Sequence, residues 1–218
     1  LLNNAVIAIR ALRTAGLRRV AVIDLDAHHG DGTEAFLRGD TEALYTSIHE
    51  AALFPVDTGT ADDQGPLGNL LNFPVDPGAG DADLHLCLTT ILAALLRFGP
   101  DAVVLSLGVD GHRDDPMSNL RYTTVGLAAA VERIAAFTER YCDGRTLVIL
   151  EGGYDYPSLE ATVAAALAAL VEAAEGGPNR EATTGGGPLP FQAEAPLPST
   201  AALVHQLAAL HPLLRDSP

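Results

Sequence analysis

Short apolar stretches alternate with segments of helical period along most of this chain, and that alternation restricts its fold more than any other feature. The stretches are Arg19–Asp26, Leu44–Ile48, Leu70–Val75, Ala102–Leu107 and Thr146–Leu150. Ala102–Leu107 and Thr146–Leu150 are almost wholly apolar, the pattern of strands covered on both faces. Helical spacing is carried by Asn4–Ala15 before the Gly16 stop, by Thr33–Leu37, by Asp81–Phe98, by a segment from Thr123 or Thr124 to Tyr141, and by the Ala-rich Ser158–Ala174. Strands separated by helices pair in parallel and need helices on both faces. The fold class expected is therefore α/β, a three-layer α/β/α arrangement around a mostly parallel sheet.

A length of 218 residues suits one such core. Residues 1–174 are expected to form it. Residues 175–198 are dense in Gly, Pro, Ala and Thr and read as a linker. Residues 199–218 hold a short apolar helix, capped by Ser199 or Thr200 and ended by Pro212, whose Leu and Val side chains need a partner on the body, with a free tail as the other reading. The chain opens on what reads as the start of a helix, so the domain is expected to be truncated at its N-terminus. No internal repeat is evident.

Composition narrows the function classes. A net charge of −15 argues against a nucleic-acid partner, because phosphate contacts need clustered cations. An acidic surface has two readings: plain solubility of a cytosolic protein, or attraction of cationic substrates such as basic peptides or polyamines. No apolar run reads as long enough to span a bilayer, and no basic-then-apolar leader is seen, so no membrane association is expected. Cys87 and Cys142 lie far apart and make neither a disulfide framework nor a Cys-rich zinc site. Reduced, buried cysteines in a cytoplasmic protein are the expectation.

The chemistry gathers just past the strands. The first runs into Asp24-Leu25-Asp26-Ala27-His28-His29-Gly30-Asp31-Gly32, where Asp24, Asp26 and His28 alternate and would share one face of an extended segment. The second delivers Ser47 and His49, the Ala102–Leu107 strand leads to Asp110 and His112, and the last strand leads to Gly152-Gly153-Tyr154. In a parallel sheet these junctions lie along one edge, where open α/β sheets bind their ligands. Asp26, His28 and Asp110 would then make a two-oxygen, one-nitrogen metal site. Zinc accepts that set with a fourth position open, and Fe(II) or Mn(II) would also take it. Asp31, with Glu34 three residues on, also reads as a capping box. Two readings of Tyr154 stand: an aromatic plug over the sheet edge, or a phenol turned outward by the two glycines to stabilise an oxyanion. His49 and His112 receive no role.

Taken in order, Asp24-Leu-Asp26-Ala-His28-His29-Gly30-Asp31-Gly32, Ser47-Ile48-His49, Phe54-Pro55, Gly108-Val-Asp110 with Asp115-Pro116, and Glu151-Gly152-Gly153-Tyr154 resemble the zinc-dependent histone deacetylase superfamily, which includes bacterial acetylpolyamine amidohydrolases. Ser106-Leu-Gly-Val-Asp110 is closer to the amidohydrolase branch. The resemblance implies an arginase-like three-layer fold and hydrolysis of an acetyl-lysine or acetylated-amine amide. It matches Asp26, His28 and Asp110 to the zinc ligands, Tyr154 to the carbonyl-polarising tyrosine, and Phe54 to a wall of the substrate tunnel. Asp24 and Asp31 match carboxylates that orient two catalytic histidines. It also implies a potassium ion, with oxygens from Asp24, Asp26, His28, Ser47 and the main chain of Ile48. Members acting on polyamines tend to dimerise, so a homo-oligomer is a partner the resemblance allows.

Two departures stand out. No residue of this chain matches the family's paired general-base histidines, since His28 takes the ligand position and His29 merely follows it. The segment Asp57–Asn69 places Pro66-Leu67 between Gly65 and Gly68, unlike the family's Gly-rich loop, and bears on substrate preference.

Overall fold

The computed structural model describes residues 2–176 and 194–215. Its elements are α1 (Asn4–Thr14), β1 (Val20–Asp24), α2 (Asp31–Leu37), β2 (Ala43–Glu50), β3 (Leu70–Val75), α3 (Asp81–Phe98), β4 (Ala102–Leu107), α4 (Thr124–Tyr141), β5 (Thr146–Leu150), α5 (Tyr156–Gly176) and α6 (Pro198–Leu210). All strand pairs are parallel, in the order β3-β2-β1-β4-β5. The chain winds outward from β1 through β2 to β3, then returns beside β1 as β4. The direction of winding reverses between β1 and β4, and a crevice opens at such a point beyond the carboxyl ends of the strands.

Period-two alternation divides the sheet between two cores. Val20, Val22, Tyr45, Leu70 and Val104 pack on one face with Ala5 and Ile9 of α1 and Leu37 of α2. Ala21, Ile23, Leu44, Leu71, Val103 and Leu105 pack on the other with α3 and α4. Ala166 of α5 and Leu207 of α6 join that second core. The three-layer α/β/α architecture is thus the one expected.

Local chemistry explains the helix boundaries. The Asn3 side chain caps α1 by accepting the Val6 N–H, and that of Thr123 caps α4 by accepting from Gly126. Gly99 ends α3 in the left-handed conformation. Cys87 and Cys142 are free and buried.

The structure corrects several sequence expectations, among them the Ser199 or Thr200 cap, since α6 starts at Pro198 with Leu197 as its N-cap. The first strand ends at Asp24, not Asp26, and the second continues through His49 to Glu50. Asp31 is not the capping residue: the N-cap of α2 is Gly30, without a side-chain cap bond. The helix expected to end at Ala174 runs on to Gly176, and the rest of the expected linker, from 177 to 193, lies outside the described residues. Finally, α5 is long and apolar enough by length and composition to cross a membrane, because a run of alanines keeps its polarity low. It packs along α4, where the Thr162 and Thr124 hydroxyls meet at 3.1 Å.

The C-terminal helix lies on the body. The Leu197 N–H donates to Asp83 of α3 at 2.7 Å, and the buried His211 ring bonds the Leu70 carbonyl at 3.0 Å.

Candidate functional site

Beyond Asp24 the chain leaves the sheet in a turn held by its own carboxylates. Asp24 Oδ1 accepts the Asp26 N–H at 3.2 Å, and Asp26 Oδ1 accepts the His28 N–H at 2.9 Å. Short acidic side chains favour such bonds to the backbone two residues on. Asp26 and His28 are therefore aimed by this turn rather than by strand alternation. Asp24 turns to the α1–α2 face, buried, and accepts the Tyr45 hydroxyl at 3.1 Å.

Across the switch point, Asp110 stands just past β4. Its Oδ1 accepts the Ala27 N–H at 2.9 Å, and its Oδ2 lies 2.8 Å from His28 Nδ1. The same imidazole nitrogen is 3.1 Å from Asp26 Oδ1. One potential ligand atom from each of Asp26, His28 and Asp110 lies within 4.8 Å of the others. Residues 82 apart in sequence thus converge on one point.

The electrostatics suit a cation there. The hydrogen bond to Asp26 and the charges of Asp110 and Asp26 outweigh burial and hold His28 up at about 9. Burial and the Asp26 charge push Asp110 up to about 6. Burial, then the neighbouring Asp26, raises Asp24 well above the ordinary carboxylate range. A cluster that retains a proton this firmly has a negative potential where three donors meet, and a divalent ion answers the same demand.

The β5 end closes the site. The Val109 N–H donates to the Gly152 carbonyl at 2.6 Å, and the Gly152 N–H donates to Asp26 Oδ2 at 2.8 Å. A Cβ on Gly152 would collide with the Asp110 carboxylate and lie 2.8 Å from Asp26 Oδ2. Only glycine allows this approach. Gly153 follows with a positive φ of 156°, and Tyr154 then stands 55% exposed. That exposure favours the outward phenol over the plug. Partial burial, then the charges of Asp110, Asp26 and Asp115, raises its pKa, so the hydroxyl keeps its proton and remains a donor.

The other predicted residues are more dispersed. Ser47 pairs in register with Asp24 on the adjacent strand, and its hydroxyl lies 2.8 Å from His49 Nδ1. Ile48 is fully buried in β2. Phe54 is 75% exposed on the loop after β2. Asp31 is exposed in the first turn of α2, and its side chain accepts only from the adjacent Gly32 N–H among the bonds described. A cavity of about 240 Å³ beside the cluster is lined by Asp24, Asp26, His28, Asn3, Ser106 and Glu151.

Sequence reasoning missed two sets of residues. His29 and His49 are buried, with ring centroids 4.7 Å apart. They anchor the Phe54 loop: His29 Nδ1 lies 2.9 Å from the Thr58 hydroxyl, and His49 Nε2 lies 3.1 Å from the Gly59 carbonyl. Glu34, read as part of a cap, instead points inward to His29 and Asn72. Asp115 and the Glu50–Asn119 pair, which brace the loop after Asp110, were the other omission. Asp115 had a signal in the Asp115-Pro116 pair, whereas nothing local marked Glu50 or Asn119.

Known proteins resemble this chain over most of its length. A "Probable deacetylase" of Archaeoglobus fulgidus is 37% identical over 157 residues, covering 70% of this chain and 44% of that protein. The acetylpolyamine amidohydrolase of Burkholderia pseudomallei is 41% identical over 165 residues, covering 73% of this chain and 47% of that protein. The chain spans about half the length of the curated relatives it matches. Among solved structures, the HDA15 HD domain superposes with a TM-score of 0.79 at 28% identity, over 98% of this chain and 57% of that one. The family profile for the histone deacetylase domain matches residues 1–170, so the chain belongs to the histone deacetylase domain family.

Proposed function

We infer that this chain supplies the metal ligands and the carbonyl-polarising tyrosine of a zinc-dependent amidohydrolase that removes acetyl groups from acetyl-lysine or acetylated amines. The observation that carries this reading is the convergence of Asp26, His28 and Asp110 beside an exposed Tyr154 at the switch point of the sheet.

Two carboxylates and an imidazole fit zinc, with Fe(II) or Mn(II) as chemically acceptable substitutes. Bound by Asp26, His28 and Asp110, zinc would supply Lewis acidity toward an acetyl carbonyl and lower the pKa of a water. Tyr154 donates its hydroxyl hydrogen to the oxygen on which negative charge develops. Phe54 offers an apolar wall to the acyl chain. Asp24 and Asp31 serve as acceptors that orient proton-transferring histidines, which this chain does not itself match. Asp24, Asp26, His28, Ser47 and the Ile48 main chain form the oxygen set for a potassium ion, a hard cation suited to such donors.

Acetylated polyamines are the second substrate reading. The net charge of −15 favours cationic substrates, and the Burkholderia pseudomallei relative is an acetylpolyamine amidohydrolase. Without matched general-base histidines, a purely metal-binding role is the competing reading for the chain by itself. We expect purified 1–218 to bind about one zinc per chain and to hydrolyse neither an acetyl-lysine peptide nor acetylspermidine appreciably. In a version carrying the paired histidines, Tyr154→Phe should keep zinc and lower turnover by about 10²–10³, the loss typical of one oxyanion donor. Relative rates on the two substrates then separate the substrate classes. Near-normal turnover in Tyr154→Phe removes the tyrosine from the mechanism, and zinc-dependent hydrolysis by 1–218 alone shows that the histidines are dispensable.

A further inference from the structure

Tyr154 follows two glycines, and glycines leave a backbone free to wander. Something must hold the turn, and its partner is a buried carboxylate on a different loop. Asp115 is 4% exposed, and its Oδ2 accepts two consecutive backbone N–H groups, from Tyr154 at 2.6 Å and from Asp155 at 2.9 Å. Its Oδ1 accepts the Met117 N–H at 3.0 Å. A carboxylate sharing its charge among three amides makes stronger bonds than a neutral acceptor would.

Asp115 is itself held in place. Its N–H donates to the His112 carbonyl at 2.8 Å, and the Ser118 hydroxyl donates to the Asp110 carbonyl at 2.7 Å. Further along, the buried Glu50 at the end of β2 takes the Asn119 N–H at 2.6 Å and the Asn119 amide at 2.7 Å. One loop, pinned to β2 at its far end, therefore carries both the Asp110 ligand and the carboxylate that grips the tyrosine backbone.

We propose that Asp115 is a positioning residue that latches the Gly152-Gly153-Tyr154 turn and so fixes the phenol relative to Asp110 and Asp26. The latch is a structural claim about this chain. Its effect on turnover rests on the role given to Tyr154 above. Tying both groups to one loop keeps the distance from ligand to hydroxyl constant when the glycine turn fluctuates.

Amide hydrogen exchange on 1–218 reads the latch directly. Asp115→Ala should speed exchange at Tyr154 and Asp155 by about tenfold or more, the equivalent of losing one charge-assisted hydrogen bond, while amides in the middle of β4 and zinc content stay as in the parent. Asp115→Asn keeps one carbonyl oxygen and should give a smaller increase, which also covers the case in which the alanine variant does not fold. Unchanged exchange at both amides in the asparagine variant, or equal acceleration throughout the sheet, overturns the latch. The functional half is read from a double-mutant cycle in a version that turns over. Asp115→Ala should lower kcat with KM within about threefold, and should cost nothing further in a Tyr154→Phe background. Additive losses would show that Asp115 acts elsewhere and overturn its positioning role. If exchange responds as expected but Tyr154→Phe retains full activity, the role of Tyr154 is what fails, and with it the effect on turnover.

Discussion

At the scale of single residues, Gly152 shows how little space the centre leaves. Its N–H supports Asp26, and its missing side chain lets Asp110 and Asp26 approach. Gly152→Ala should therefore weaken zinc binding without removing a ligand, by about 10–100-fold, as losses of outer supporting contacts do. His28→Ala and Asp110→Ala should be more severe and equal in kind, since each removes one of the three donors proposed for the metal. Metal content after dialysis checks all three. Full occupancy in Asp110→Ala would strike that residue from the ligand set, and undiminished affinity in Gly152→Ala would show that the turn relaxes at no cost.

Between elements, a histidine is one of the groups that join α3 to α4. His85 Nε2 lies 3.0 Å from the Gly126 carbonyl, and its Nδ1 lies 3.0 Å from an Arg133 nitrogen. The carbonyl can only accept and the guanidinium can only donate, so the ring is neutral, with its proton on Nε2. Burial, and then the Arg133 charge, lower its pKa from 6.5 to about 4. Above pH 6.5 the ring is neutral folded or unfolded and contributes no pH dependence. Between 6.5 and 4 the unfolded chain takes up the proton first, so stability falls as pH falls, by on the order of 3 kcal/mol for a shift of this size. Urea unfolding from pH 7 to pH 4 should show that component in the parent and lack it in His85→Gln, which retains a donor and an acceptor without titrating. Parallel curves for the two proteins would contradict the neutral ring.

For the whole molecule, the C-terminal helix packs into the hydrophobic core although it follows a long Gly/Pro-rich stretch. Leu207 is 1% exposed, and His211 and Leu197 tie the two ends of α6 to β3 and α3. Leu207→Ala should lower unfolding stability by about 2–5 kcal/mol, the usual range for a buried leucine. Metal content should not change, because α6 covers the β3 side of the sheet while the proposed ligands sit between β1 and β4. A cost near zero would mean that α6 is a detachable cover.

Sequence by itself determined the strand and helix positions closely, because hydrophobic period is a local property read within a dozen residues. Leu70–Val75, Asp81–Phe98, Ala102–Leu107 and Thr146–Leu150 are the same in the chain's pattern and in the fold. It also placed Asp26, His28, Asp110 and Tyr154 at strand ends, which a parallel sheet brings to one edge. Tertiary structure decided what each carboxylate does there. Asp26 and Asp110 meet because β4 lies beside β1, an adjacency that no local pattern encodes. Glu34 turns inward to His29 instead of capping a helix, Asp24 is held by Tyr45, and Asp115 grips a backbone 39 residues away. A carboxylate has the same chemistry in every one of these places. What each one does, as proposed ligand, buried partner or proposed latch, follows from which groups the packed chain brings to it, several of them from distant segments.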